Sequence, residues 1–277
     1  MNDADKLPEP PAEISEYYRQ SDEDSRLQTG WFQLEFARTQ ELILRHLPSA
    51  PAVVLDVGGG SGVYSAWLAS LGYQVHLVDA SPNLVQQARR RWAKLEHPIA
   101  SIAVGDARQL SFGDNSADAV LLLGPLYHLT ERNDRMASLY EAHRVLRPEG
   151  VLFVAGISRF ASLVDSLAHG FFDKPEFAPV LQRDLDEGQH RNPTADLTYF
   201  TTAFFHLPSE LTDEVAAGGF RSTKLFAVEG PGWLARDFEN LWRGEAQRAR
   251  LLECIRKVEC APEILGVSSH LMAIAKK

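Results

Sequence analysis

Asp56-Val57-Gly58-Gly59-Gly60-Ser61-Gly62 follows directly on the apolar run Ala52-Val53-Val54-Leu55. The stretch reads as a buried strand that stops at a carboxylate, turns through glycines and enters a helix. Glycines permit positive φ and leave no Cβ between backbone and ligand, so a cofactor can lie directly against the main chain. A dinucleotide fingerprint requires G-x-G-x-x-G, but its sixth position is Val63 when counted from Gly58 and Ser65 when counted from Gly60. The spacing is instead D-x-G-x-G-x-G, with the acid inside the strand end. Taken alone, such glycines serve a tight turn as readily as a ligand.

The neighbouring segments repeat the plan. Asp79 ends a second apolar run, Val75-His76-Leu77-Val78, and Ala80-Ser81-Pro82 follow. A carboxylate there can accept both hydrogen bonds of a ribose diol. Ser81 suits a helix N-cap and Pro82 the first helical position. A third run, Ser101 to Val104, ends in Gly105-Asp106-Ala107. A fourth, Asp118 to Leu123, ends in Gly124-Pro125-Leu126-Tyr127-His128-Leu129. Arg144-Val145-Leu146-Arg147-Pro148-Glu149-Gly150 then precedes a fifth, Val151 to Val154. Each acid alone fits a cap or turn, but their order along alternating strands and helices points to a nucleoside ligand.

These motifs resemble those of the class I S-adenosylmethionine-dependent methyltransferases, with good specificity from about Leu47 to Ser158. The resemblance implies an α/β, Rossmann-like, doubly wound fold with a mostly parallel seven-stranded sheet and helical lid insertions. S-adenosylmethionine is the implied cofactor. Gly58, Gly60 and Gly62 would turn around its methionine and ribose portions, with Asp56 bonded to nearby main-chain or amino groups. Asp79 would hold the ribose, with Ala80 and Ser81 beside it. Asp106 and Ala107 would flank the adenine, and Gly124 would approach the sulfonium. The stretch from Tyr17 and Tyr18 to Arg26 would close over the cofactor, with Arg26 a partner for the methionine carboxylate. Glu149 departs from the family pattern, which commonly has glycine there, and Ala117 stands where an aromatic is common.

Composition sets the outer bounds. The chain has 277 residues, 45% hydrophobic and 23% charged, as in an ordinary globular protein. A net charge of −9 argues against a nucleic-acid partner, and Arg89-Arg90-Arg91 reads as a solvated helix face. Cys254 and Cys260 lack metal-ligand spacing and read as buried or idle thiols, and no metal is expected. Met1 to Glu13 is acidic and proline-rich, unlike a signal peptide. No apolar run approaches the ~20 residues of a membrane span. The expectation is a cytoplasmic protein with a flexible first dozen residues.

The chain divides into a tail and cofactor-covering segment (1–32), a cofactor-binding core (33–158), an acceptor lid (159–207) and a C-terminal completion of the sheet (208–277) with a helical insertion at 229–267. Leu34, Phe36, Leu42, Ile43, Leu44 and Leu47 carry a helical pattern, and Arg132 to Leu146 another. Residues 159–205 are rich in aromatics but show no clean strand pattern. Strands are predicted over Thr223–Val228 and His270–Ala275, after a helix over Pro208–Ala217.

Methyl transfer is an in-line displacement in which the cofactor supplies the reactivity and the protein supplies alignment. The segment after the fourth strand lacks the polar first residue of the D/N-P-P-Y/F motif of amine-methylating enzymes, which favours a small-molecule acceptor. His128 is a candidate proton acceptor, or else a helix cap; Tyr127 is a wall of the acceptor site, or else core; His206 is a weaker candidate. Two other functions stay open at this point: a non-catalytic S-adenosylmethionine-binding regulator and a nicotinamide-dependent oxidoreductase.

Overall fold

The computed structural model describes residues 12–20, 26–194 and 196–277. Apart from Ala12, the first dozen residues expected to be flexible lie outside the described residues. So do residues 21–25 of the segment expected to cover the cofactor.

Five strands build the core: β1 (Val53–Val57), β2 (Gln74–Asp79), β3 (Ser101–Val104), β4 (Ala117–Leu122) and β5 (Leu146–Ser158). They pair in parallel in the order β3-β2-β1-β4-β5. Their apolar runs are continuous because helices cover both faces. Alternation along each strand separates two cores. Leu55, Val57, Val120 and Leu122 pack on one face with Leu139, Leu211 and Val215, while Val54, Ala119, Leu121 and Phe153 pack on the other with Leu42, Ile43 and Leu68. β2 and β4 flank β1, so the chain reverses its direction of winding there, where open sheets bind ligands.

Among the described residues the sheet has nine strands, the mostly parallel sheet implied by the resemblance together with a short added pair. β6 (Gln189–His190) and β7 (Ala203–His206) form an antiparallel pair within 159–207, and β7 runs parallel to Ile157 and Ser158 of β5. All four residues of Ala203-Phe204-Phe205-His206 are buried, so the two-residue alternation that marks a half-exposed strand is absent. β8 (Arg221–Ala227) and β9 (His270–Lys276) close the sheet as an antiparallel pair, β9 lying against β5. β5 begins at Leu146, five residues before Val151, across a register shift against β4. Glu149 occupies that stretch with φ +65°, the conformation that glycine at this position adopts without strain.

Helices over Phe238–Arg243, Glu245–Val258 and Pro262–Leu265 lie between β8 and β9. The helix Phe32–His46 is tied to this region by Arg38, which is fully buried, bonds to the Val228 carbonyl at 3.2 Å and pairs with Glu259. Cys254 and Cys260 are exposed free thiols rather than buried ones. No helix among the described residues is long and apolar enough to cross a membrane.

Candidate functional site

A cavity of about 420 Å³ opens beyond the C-terminal ends of β1, β2 and β4. Strand ends and the turns after them supply its floor, and Ile14 and Tyr18 of the helix Ala12–Gln20 lie over it. Asp56, Gly58, Gly60, Asp79, Ala80, Ser81, Asp106, Ala107, Gly124, Tyr127, His128, Tyr18 and Arg26 all line it. Gly62 does not. It caps the helix Val63–Ser70 at φ +82°, and a Cβ there would lie 3.1 Å from both Leu77 Cδ2 and Trp92 Nε1, so its smallness serves packing.

The glycine turn is held by the neighbouring strand. The Gly58 amide donates to the Val78 carbonyl at 2.7 Å, and the Gly60 amide donates to Asp79 Oδ2 at 2.9 Å. The Ser81 amide donates to Asp79 Oδ1 at 2.8 Å. Each Asp79 oxygen therefore keeps acceptor capacity toward the cavity while its position is fixed by backbone. A Cβ on Gly60 (φ +57°) would meet nothing nearer than Leu84 Cδ1 at 4.0 Å, which leaves bare main chain facing a ligand. Asp56 is buried and accepts from Ser65 Oγ at 2.7 Å. Burial, with the Asp79 charge adding to it, pushes its carboxyl up to about 6; burial likewise raises Asp79.

After β3, Asp106 receives the Arg108 guanidinium at 3.0 and 2.7 Å, and Arg108 also reaches Asp134 at 3.1 Å. After β4, His128 bridges two segments: its Nε2 lies 2.6 Å from the Tyr18 hydroxyl and its Nδ1 3.2 Å from the Thr202 carbonyl. The carbonyl can only accept, so the ring proton sits on Nδ1 and Tyr18 donates to Nε2. Burial lowers His128 to about 4, which makes it a weak base at neutral pH. Its neutral form contributes stability that is present above about pH 6.5 and lost as the pH falls toward 4.

Among the described residues, none that lines the cavity comes from 159–207, the segment expected to form the acceptor lid. Its aromatics Phe171, Phe177 and Tyr199 form their own small core with Val180 and Leu181. Phe200 and Thr202 act from behind, against Tyr127 and His128. His206 is buried and bonds to Glu214 at 3.3 Å, away from the cavity.

At the far wall Glu35, Glu229 and His270, which the motif reading missed, stand beside Arg26, which it named. Arg26, expected to meet a methionine carboxylate, makes a two-pronged pair with Glu35 at 2.7 and 3.2 Å. His270, the first residue of β9, bonds through Nδ1 to Glu229 at 2.6 Å. Glu35, Glu229 and His270 bring one ligand-type atom each within 4.8 Å of one another. Glu35 is already paired with Arg26, and Glu229 already accepts from the Ser268 hydroxyl, the His270 amide and His270 Nδ1. An acid closing β1 and another closing β2 were visible in sequence; Glu229, just past β8, follows the same rule.

The crevice suits a nucleoside cation. Three acids, Asp56, Asp79 and Asp106, line the turn side, and two of them are held at raised pKa by burial. A dinucleotide pyrophosphate would face those acids, whereas a sulfonium and a ribose diol bring the positive charge and the donors they lack.

Residues 55–154 match the family described as a methyltransferase domain. The demethylmenaquinone methyltransferase of Beutenbergia cavernae is 34% identical over 127 residues, 46% of this chain and 50% of that protein. The ubiquinone biosynthesis O-methyltransferase of Xanthomonas oryzae is 34% identical over 125 residues, 43% of this chain and 48% of that protein. The chain thus spans about half the length of these curated relatives. A crystal structure of an S-adenosylmethionine-dependent methyltransferase from Methanosarcina mazei shares the fold, with a TM-score of 0.57 at 19% identity, covering 85% of this chain and 96% of that one. The strand-end acids, the glycine turn and the family match agree over residues 55–154, and that part of the chain is a methyltransferase domain.

Proposed function

We propose that the protein transfers a methyl group from S-adenosylmethionine to a small-molecule acceptor. The observation that carries this reading is Asp79, its two oxygens fixed by the Gly60 and Ser81 amides at the mouth of the glycine turn. In this reading Asp79 holds the ribose hydroxyls, Gly58 and Gly60 present bare backbone, and Asp106 and Ala107 flank the adenine. Asp56 sets the negative field beneath the sulfonium end, where Gly124 passes close to Gly58: a Cβ on Gly124 would lie 3.2 Å from the Gly58 carbonyl. The cofactor brings an activated methyl; the chain contributes alignment and exclusion of water. Tyr127 and His128 serve as wall, with Tyr18 closing above them.

The names of the Beutenbergia and Xanthomonas relatives support an acceptor of the quinone-biosynthesis kind. The net charge of −9 fits such a molecule better than a polyanion.

Asp79→Ala is expected to weaken S-adenosylmethionine binding by about 1–3 kcal/mol, the cost of losing a charged hydrogen-bond acceptor. That is roughly 5- to 150-fold in Kd by isothermal calorimetry. Unchanged affinity in a folded variant refutes the role.

A further inference from the structure

We propose that His270, oriented by Glu229, takes the proton from the hydroxyl of a phenolic acceptor bound against it. The inference rests on the methyl-transfer reading and adds the acceptor class and the base. Chain position gives no hint of it: His270 stands 191 residues after Asp79, yet the antiparallel return of β9 along β5 (His270 opposite Ile157) brings its ring to the same cavity.

The bonding of the ring separates it from His190 and His128, and its place in the cavity separates it from His206, which also bonds a carboxylate through one nitrogen only. His190 commits both nitrogens, Nδ1 to Asp184 at 2.8 Å and Nε2 to the Tyr199 carbonyl at 2.6 Å. His128 likewise uses both. His270 uses one. Glu229 Oε1 accepts from Nδ1 at 2.6 Å, which sets the tautomer and directs the Nε2 lone pair outward. Nε2 has no hydrogen-bond partner among the described residues. Glu229 is itself fully buried and immobilised by the Ser268 hydroxyl at 2.8 Å and the His270 amide at 3.0 Å. A base whose ring is held by a buried carboxylate is the arrangement that proton abstraction requires.

Among the described residues, three charged groups act on the ring: Glu229 from the end of β8, Glu35 from the helix Phe32–His46, and Arg26, which is paired with Glu35; Tyr64, from the helix Val63–Ser70, lies in the field of Glu35 and Arg26. Burial alone would lower His270, but the carboxylates of Glu35 and Glu229 outweigh it and leave the pKa above the ordinary 6.5. His270 is therefore a stronger base than His128, and the imidazolium it becomes is balanced by Glu229. Leu27, Tyr64, Val228 and Met272 line the same cavity and offer apolar surface to an aromatic ring. The balance is closed: the acceptor oxygen gains the methyl and loses its proton to Nε2, the S–CH3 electron pair stays on sulfur, and the imidazolium returns the proton to solvent.

Two measurements test this. In the ligand-free protein, imidazole 15N spectra are expected to show His270 as the Nδ1–H tautomer titrating above pH 6.5, with a lower midpoint in Glu35→Gln. In turnover with S-adenosylmethionine and a panel of phenols of graded acidity, His270→Asn is expected to lose ~100-fold or more on phenols that are protonated at the assay pH. Phenols already ionised should be methylated with far smaller loss. An equal loss across the panel, a midpoint below 6.5, or an Nε2–H tautomer overturns the proposal. So does a wild-type protein that binds S-adenosylmethionine by calorimetry and methylates no phenol, a result that leaves the cofactor reading standing. Absence of cofactor binding instead removes the reading on which the inference rests.

Discussion

Gly58→Ala is expected to destabilise the protein by roughly 2–5 kcal/mol and to weaken S-adenosylmethionine binding by more than tenfold. Two costs add. Gly58 has φ +70°, where an L-residue is strained by about 1–2 kcal/mol. A Cβ there would also lie 2.4 Å from Pro125 Cγ and 2.5 Å from Cδ, and Pro125 is the rigid first residue of the helix that follows β4. Overpacking of this kind costs about 1–3 kcal/mol. Relief would require the glycine turn and the Gly124–Pro125 segment to part, which opens the site between β1 and β4. Gly60→Ala makes the contrasting control: its Cβ meets only open cavity, so stability should fall by no more than the ~1–2 kcal/mol of backbone strain while cofactor binding suffers. Urea denaturation with parallel calorimetry separates the two. A Gly58→Ala variant as stable as the parent contradicts the packing described here.

Arg135→Ala is expected to cost about 3–5 kcal/mol, the usual effect of leaving a buried partner charge uncompensated. Arg135 is buried and donates to Glu214 through Nε at 2.9 Å and Nη2 at 2.8 Å. Its Nη1 bonds to the carbonyls of Leu129 and Thr130 at 3.1 and 2.8 Å, and both of those residues line the cavity. The pair therefore joins the helix Arg132–Val145 to Pro208–Ala217 and also fixes the rim of the site. Glu214 further bonds to His206 at 3.3 Å. Burial opposes ionisation of Glu214, but His206 and Arg135 outweigh it and hold the carboxyl down at about 2. Because this folded-state value lies below the ordinary 4.5, the stability it confers is complete above about pH 4.5 and is lost as the pH falls toward 2. Arg135→Ala should flatten the fall in stability over that window, measured by denaturation at a series of pH values. An undiminished acid dependence assigns it to other groups.

The strand-end side of the cavity was readable because each acid there sits at the end of its own apolar run, and chain order along a parallel sheet is also spatial order at the strand ends. Asp56, Asp79 and Asp106 follow that rule. Gly62 shows its limit: a glycine needed by Trp92 and Leu77 has the same letter as one needed by a ligand. On the far wall only Arg26 was readable. Glu35, Glu229 and His270 come from separate segments, and the antiparallel pairing of β9 with β5 and β8 brings Glu229 and His270 close to Glu35. β7 escaped because a strand of four wholly buried residues carries no alternation, and β6 because two residues are too few to show a period. Of the aromatics of 159–207, Phe171, Phe177 and Tyr199 pack on one another as the core of that segment.

The most direct test of the account is a calorimetric titration of the full chain with S-adenosylmethionine, repeated after saturation with S-adenosylhomocysteine. One saturable site per chain, blocked by prior saturation with the product, is the expected result. An absence of heat, or binding that the product does not displace, would contradict it.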